Sequence, residues 1–348
     1  MKRICVVVTA RPSYSRIKTA LFALRDAGAD LQIIAAASAL TWRHGRVVDV
    51  MRADGLPIAA EVPCVVDGGG TRESVVSTGL LAVQLGPLLS QLSPDCVVTI
   101  ADRHETLATA IAASYQHIPL CHVQGGEVTG SIDDKVRNAV TQLADLHLVA
   151  TQCARERIGY GHGNYMDIRV TGCPSIDLAA QALELGPIDR ADVVVLQHPV
   201  TTEAAQASAQ IEATIQAVGF HHALWFWPGE DAGADAVSKQ LRLAGFHPVR
   251  NLEPVEFLRV LLGAKVLVGN SSVGIRECSF LGVPVVNVGT RQQGRERGPN
   301  VVDVAHEASV IAGAIKAQMA HGPYESSQLY GDGHAGERIA GALMEWQA

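Results

Sequence analysis

The sequence has no C-x-x-C pair, no low-complexity block and no excess of basic charge. Nor does it repeat with a period of about 20–50 residues, which excludes a solenoid or propeller. The seven cysteines, Cys5, Cys64, Cys96, Cys121, Cys153, Cys173 and Cys278, are scattered, and several sit inside apolar runs. They therefore read as buried thiols rather than as zinc ligands or a disulfide framework. A formal net charge of -7 leaves no electrostatic footprint for nucleic acid. No continuous apolar stretch approaches the ~20 residues needed to cross a bilayer. The run at 4–8 is cut short by polar residues and Pro12 and reads as a strand, not a leader. A cytoplasmic protein without a membrane partner is expected.

What remains is a chain of 348 residues, 48% hydrophobic and only 18% charged, which suits a large buried core. That length exceeds the roughly 250–300 residues at which a single core stops growing. Short apolar runs at 4–8, 31–37, 96–100, 118–123 and 146–150 alternate with longer helical patterns. The rhythm resumes at 193–196, 223–227, 266–268 and 283–288. Such alternation predicts an α/β protein with two parallel sheets, each covered on both faces. Gly172-Cys173-Pro174-Ser175 and Gly186-Pro187 carry the turn chemistry of a connection. The predicted organisation is a first domain over 1–178, a second over 179–330 and a C-terminal helix over 331–348. The glycine run at 68–71 reads as a loop of the first domain.

In open parallel sheets ligands bind beyond the carboxyl ends of the strands, so the residues after each apolar run carry the most information. The first run is followed by Thr9-Ala10-Arg11-Pro12-Ser13-Tyr14-Ser15, a guanidinium and hydroxyls near a helix start, as an anion site requires. Ala101-Asp102-Arg103-His104-Glu105 follows the third run. Gln124-Gly125-Gly126-Glu127 follows the fourth, with Ile132-Asp133-Asp134 close behind. One such carboxylate is explained by a helix cap. Three loops bringing carboxylates to one edge point instead to proton transfer, because neighbours push the pKa values of gathered acids apart.

In the second half Gln197-His198-Pro199-Val200 and Pro228-Gly229-Glu230-Asp231-Ala232-Gly233 each follow a strand. Gly269-Asn270-Ser271-Ser272-Val273-Gly274-Ile275-Arg276-Glu277 puts small residues and hydroxyls at a strand-to-helix turn. Backbone amides there can approach a diphosphate, and a carboxylate one turn onward can take ribose hydroxyls. A capped helix would need only one serine. Gly289-Thr290-Arg291-Gln292-Gln293-Gly294-Arg295-Glu296-Arg297-Gly298 then supplies three arginines, at least one of them for phosphate.

Taken in order, these motifs resemble the UDP-N-acetylglucosamine 2-epimerase family, and most of all its hydrolysing branch, which supplies N-acetylmannosamine for sialic-acid-type sugars. The resemblance implies a GT-B-like pair of Rossmann-like domains with the active site in the cleft between them. It implies a C-terminal helix that crosses back to the first domain, and a homodimer or homotetramer. The implied partner is a small nucleoside-diphosphate sugar, with neither metal nor nicotinamide cofactor. In that family the proton at C2 of the sugar is removed, UDP leaves from C1, and water adds to the resulting glycal. By resemblance Asp102, Glu127 and Asp133 are the acid/base candidates, with Arg103, His122, Gln124 and Arg137 around them. Arg11, Ser15, His198, Ser271, Ser272, Glu277, Arg291 and Arg295 would hold the UDP moiety.

The sequence departs from the branch's pattern at four places. Gln124 stands where a catalytic glutamate is expected, and an amide exchanges no proton at neutral pH. Ala101 replaces a glycine, Gly229 an asparagine, and Asn138 a histidine. A reversible epimerase, a GT-B glycosyltransferase and a sugar-nucleotide sensor without turnover remain as alternative readings.

Overall fold

The structure, a computed structural model, describes residues 1–42, 45–66, 70–130, 132–162, 167–229 and 232–347. The chain divides into two compact units. The first comprises Met1–Glu127, Asp133–Asp177 and Gly331–Ala348; the second comprises Val128–Ile132 and Leu178–Tyr330.

Strands β1 (Arg3–Val8), β2 (Asp30–Ala36), β3 (Ile58–Val62), β4 (Cys96–Ile100), β5 (Leu120–Val123), β6 (Leu146–Val149) and β7 (Asp167–Val170) form the sheet of the first unit. Their order is β3-β2-β1-β4-β5-β6-β7, and every neighbouring pair is parallel. Because side chains alternate across a sheet, β1 feeds two cores. Ile4, Val6 and Val8 pack on one face with Leu21, Leu24, Ile339 and Leu343; Cys5 and Val7 pack on the other with Leu81, Leu85 and Leu89. Each fully buried side chain of this kind contributes on the order of 1.5–3 kcal/mol.

The C-terminal helix Ala335–Glu345 supplies Ile339 and Leu343 to the first of those cores. Asp177 fixes its start. The carboxylate accepts from the backbone N–H groups of Ala335 at 2.9 Å and Gly336 at 2.7 Å, and from the Thr19 hydroxyl at 2.6 Å. A Cβ on residue 336 would lie 2.4 Å from Thr19 Oγ1, so only glycine lets the two helices approach this closely.

The helix Thr71–Leu92 corrects one expectation from the sequence. It is 22 residues long with a mean hydropathy of 1.4 in its most apolar window, long and apolar enough to span a bilayer. Interspersed Gly, Ser, Thr and Gln hide this from a search for a continuous apolar run. One stripe, Ser77, Leu81, Leu85 and Leu89, is buried on the core, while Val75 and Val83 face outward. Thr71, read as the end of a glycine loop, is instead the first residue of this helix; Gly68 and Gly69 lie outside the described residues.

The second unit holds β8 (Val193–Leu196), β9 (Ala223–Trp225), β10 (Val266–Gly269), β11 (Val285–Val288) and β12 (Val301–Val304). They form an all-parallel sheet in the order β12-β11-β10-β8-β9. The chain order reverses between β1 and β4 in one sheet and between β8 and β10 in the other. Those reversals open crevices at the carboxyl ends of the strands.

Candidate functional site

In the first unit the strand-end loops converge on one guanidinium. Arg137, on the helix Asp133–Leu143, is 0% exposed. Its Nη2 donates to Asp102 in the loop after β4, and its Nη1 donates to Asp134 one turn earlier on its own helix. Nη1 also donates to the Glu127 carbonyl oxygen at 2.6 Å, in the loop after β5. Burial works against the charge of Arg137, yet Asp102 and Glu127 hold its pKa above the ordinary arginine value. It is a permanent cation around which two strand-end loops and a helix start are fixed.

The Gln-Gly-Gly-Glu turn has steric causes. A Cβ on Gly125 would sit 2.9 Å from His122 Nδ1, and one on Gly126, where φ is +75°, would sit 2.4 Å from the carbonyl oxygen of Ala154. Arg157, which the sequence did not single out, donates to the Gly126 carbonyl from the helix Gln152–His162. Gln124 itself is left-handed, with φ +66°. Its side chain is 1% exposed, its Nε2 contacts Cys173 Sγ at 2.7 Å, and its Oε1 is buried without a hydrogen-bond partner among the described residues. Cys173 in turn lies 3.0 Å from Ser175 Oγ.

His122 is wholly buried beneath this turn. Its Nε2 bonds the Ala101 carbonyl at 2.8 Å and its Nδ1 lies 3.3 Å from Thr141 Oγ1. Burial, with His147 and Arg137 nearby, lowers its pKa to about 4. At neutral pH it is an uncharged ring that pins Ala101, whose φ is +65°. That conformation favours glycine and explains why a glycine is the residue expected there. Arg103 pairs with buried Glu105 through two bonds of 3.2 and 3.3 Å. Burial pushes the Glu105 carboxyl up, but Arg103 and His104 outweigh it and hold the pKa below the ordinary value. Asp133, half-buried, opens the helix that carries Arg137.

Arg11 and Ser15 lie after β1 on Arg11–Ser15, a helix of five residues. Ser272–Ile275, after β10, has only four. Both were expected to offer anions a helix N-terminus. One turn aligns too few peptide dipoles for that, so donors here must be individual groups. Arg11 Nη2 donates to the Gly45 carbonyl at 3.3 Å, and the Ser15 hydroxyl donates to the Arg11 carbonyl at 3.3 Å.

In the second unit four strand-end loops are tied together. The side chain of Asn270, 0% exposed, accepts from His198 N at 2.7 Å and donates to His198 O at 2.9 Å. This joins the loops after β8 and β10 across the reversal in strand order. The Asn270 carbonyl accepts from Arg291 Nη1 at 3.2 Å and Gln292 Nε2 at 2.9 Å, bringing in the loop after β11. Gly229 N, after β9, donates to His198 Nδ1 at 2.8 Å, which places the proton of a neutral His198 ring on Nε2. A Cβ on Gly229 would stand 3.2 Å from that nitrogen, so a side chain there forces the imidazole to give way.

The remaining predicted residues lie along the same edge. Ser271 caps the turn, its hydroxyl accepting from Val273 N at 3.5 Å. Ser272 begins the short helix, and Glu277 is half-buried, its Oε2 buried and without a hydrogen-bond partner among the described residues. Arg295 is 6% exposed. Arg297 is taken up by the loop itself, donating to the carbonyls of Gln292 at 2.6 Å and Arg295 at 3.2 Å and pairing with Asp303. Glu230 and Asp231 lie outside the described residues. Asn270, Gln292 and Arg157 were missed because their signal is a bond to a distant backbone, which sequence does not display.

Comparison with known proteins gives this pattern a lineage. The model of the UDP-N-acetylglucosamine 2-epimerase family matches residues 23–344. A Legionella pneumophila protein named UDP-N,N'-diacetylbacillosamine 2-epimerase (hydrolyzing) is 29% identical, covering 97% of this chain and 94% of its own. A Neisseria meningitidis UDP-N-acetylglucosamine 2-epimerase is 30% identical over 71% of this chain and 69% of its own. Among solved structures, the Methanocaldococcus jannaschii UDP-GlcNAc 2-epimerase in complex with UDP-GlcNAc and UDP superposes with a TM-score of 0.82 at 17% identity. It covers 99% of this chain and 100% of its own, which shows a shared fold. The chain belongs to the UDP-N-acetylglucosamine 2-epimerase family.

Proposed function

We propose that the protein converts UDP-N-acetylglucosamine, or a close nucleoside-diphosphate amino sugar, to the free 2-epimer and UDP. The observation that carries this reading is the buried Arg137, which gathers Asp102, Asp134 and the Glu127 backbone at the carboxyl end of one sheet. In the reaction a carboxylate among Asp102, Glu127 and Asp133 removes the C2 proton, and the C1–O bond to UDP breaks as the C1–C2 double bond forms. Water then adds to the glycal, its hydroxyl at C1 and a proton at C2 from the opposite face, giving N-acetylmannosamine. Preorganised cations lower the cost of such charge movement because they need not reorient.

The UDP leaving group is assigned to Arg11, Ser15, His198, Ser271, Ser272, Glu277, Arg291 and Arg295. Gln124 serves as a hydrogen-bonding residue, and Arg103 and His122 support the loops that carry the acids. No cofactor enters these steps. Incubation with UDP-N-acetylglucosamine in deuterated water, followed by proton NMR, tests the reading. Free N-acetylmannosamine deuterated at C2, with UDP released, is expected. A UDP-bound epimer identifies the reversible reaction, and neither deuterium uptake nor UDP release sinks the assignment.

A second substrate reading has its own support. Two relatives, from Legionella pneumophila and Campylobacter jejuni, carry hydrolysing diacetylbacillosamine epimerase names at 29% and 26% identity. A sugar with an acetamido group at C4 would then be preferred. The ratio of kcat/KM for the two UDP-sugars decides between them.

A further inference from the structure

We propose that Asn270 is the positioning residue of the nucleotide-binding edge. Its side-chain amide holds the backbone of His198, and its main-chain carbonyl holds Arg291 and Gln292, in the geometry that receives UDP. The proposal rests on the reading that the second unit binds UDP. Asn270 is fully buried, so it acts on a ligand through the groups it holds. Its side chain offers one acceptor and one donor to the two backbone groups of His198, as a neighbouring strand would. The sheet needs such a substitute. β8 and β10 are paired through Gly269 and Leu196, and the Asn270 N–H still reaches the Leu196 carbonyl at 3.2 Å. Beyond that point the strands end, and both backbone groups of His198 bond the Asn270 side chain. Asn270 satisfies both while its own carbonyl takes the donors of Arg291 and Gln292.

The close approach is built in. Gly269 has φ +137°, and a Cβ there would meet the Leu196 carbonyl oxygen at 2.1 Å. The loops after β8 and β10 are thus forced together where the strand order reverses, and Asn270 sets their register. Only an amide fits. Aspartate keeps the acceptor for His198 N but sets a carboxylate oxygen against the His198 carbonyl, and alanine removes the side-chain partner of both groups.

The test compares wild type, Asn270→Ala, Asn270→Asp and a control, Gln318→Leu. Gln318 is buried in the same unit and donates to the carbonyls of Val285 and Asn300, so its loss destabilises the unit without touching these loops. UDP affinity is measured by calorimetry, with KM, kcat and Tm alongside. Both Asn270 variants are expected to bind UDP at least about tenfold more weakly, and KM is expected to rise more than kcat falls. The control keeps wild-type affinity at a comparable Tm. Affinity of the aspartate variant should recover relative to wild type as the pH is lowered from about 8 to about 6, since a protonated carboxyl again donates. Binding by both Asn270 variants within about twofold of wild type overturns the proposal, as does an equal loss in the control. Wild-type protein that binds no UDP overturns the nucleotide reading and, with it, this inference.

Discussion

Arg137 and Asp102 are 35 residues apart in the chain, yet the guanidinium of one donates directly to the carboxylate of the other inside the first unit. The pair links the loop after β4 to the helix Asp133–Leu143, and the same arginine holds Asp134 and the backbone of Glu127. Every acid/base candidate therefore sits on a segment that Arg137 bonds or carries.

Removing that cation should cost both fold and turnover. Arg137→Leu removes the buried cation that Asp102 and Asp134 share and should destabilise the protein by roughly 3–5 kcal/mol, the usual loss on breaking a buried ion pair. Arg137→Lys keeps the charge but cannot make the forked contact, and should reduce C2 deuterium uptake by about 100-fold or more while losing less stability. Denaturant melts and the NMR assay measure the two effects. Near-normal exchange in the lysine variant would remove Arg137 from the reaction.

Ala101 sits at φ +65°. Ala101→Gly should raise stability by about 1 kcal/mol, since a left-handed non-glycine residue is strained by that order. Turnover should be unchanged, because the methyl group packs in the apolar core and carries no proton-transfer group. A lower Tm in this variant would show that the methyl packing outweighs the strain.

Stability should fall in mild acid. The fold holds His122 at a pKa of about 4, whereas the unfolded chain takes the proton near 6.5. Between these values the unfolded state binds more protons, so the contribution is full above about pH 6.5 and lost as the pH falls toward 4. The loss is about 3 kcal/mol. His122→Gln should flatten this segment of the stability curve, measured by urea unfolding between pH 4 and 7. An unchanged slope would assign the acid sensitivity to other groups.

Gln124→Glu should not unlock a large hidden activity. The side chain is 1% exposed and contacts a thiol, so a carboxylate there either loses solvation or takes up a proton. We expect a lower Tm at neutral pH and turnover within about tenfold of wild type. A rise of about 100-fold or more would mean that a glutamate at this position is the missing acid/base group.

Apart from the edge strand β9, the strands that were legible in sequence are those whose side chains are mostly buried. β1, β4, β5 and β6 are almost wholly buried and read as apolar runs with a single polar residue in each. β3, β7 and β12 were not anticipated, and all three are sheet edges with half-exposed, interrupted patterns such as Asp167-Ile168-Arg169-Val170. An edge strand faces solvent along one side, so its composition drifts toward that of a loop. The motif loops were legible for the opposite reason, because polar residues crowd directly after apolar runs.

By itself, then, the sequence determined the alternation of strand and helix, the parallel α/β class and the positions of the polar strand-end loops. Those follow from local hydrophobic period and from the glycines and prolines that punctuate it, both properties of short segments. Only the tertiary structure decided what each polar residue does there. It turned His122 into a neutral support under Ala101, engaged Arg103 with Glu105 and Arg297 with its own loop, and gave Asn270 and Arg137 their central places. A buried donor finds its partner by proximity in space, and no spacing along the chain encodes which distant carbonyl or carboxylate will be near.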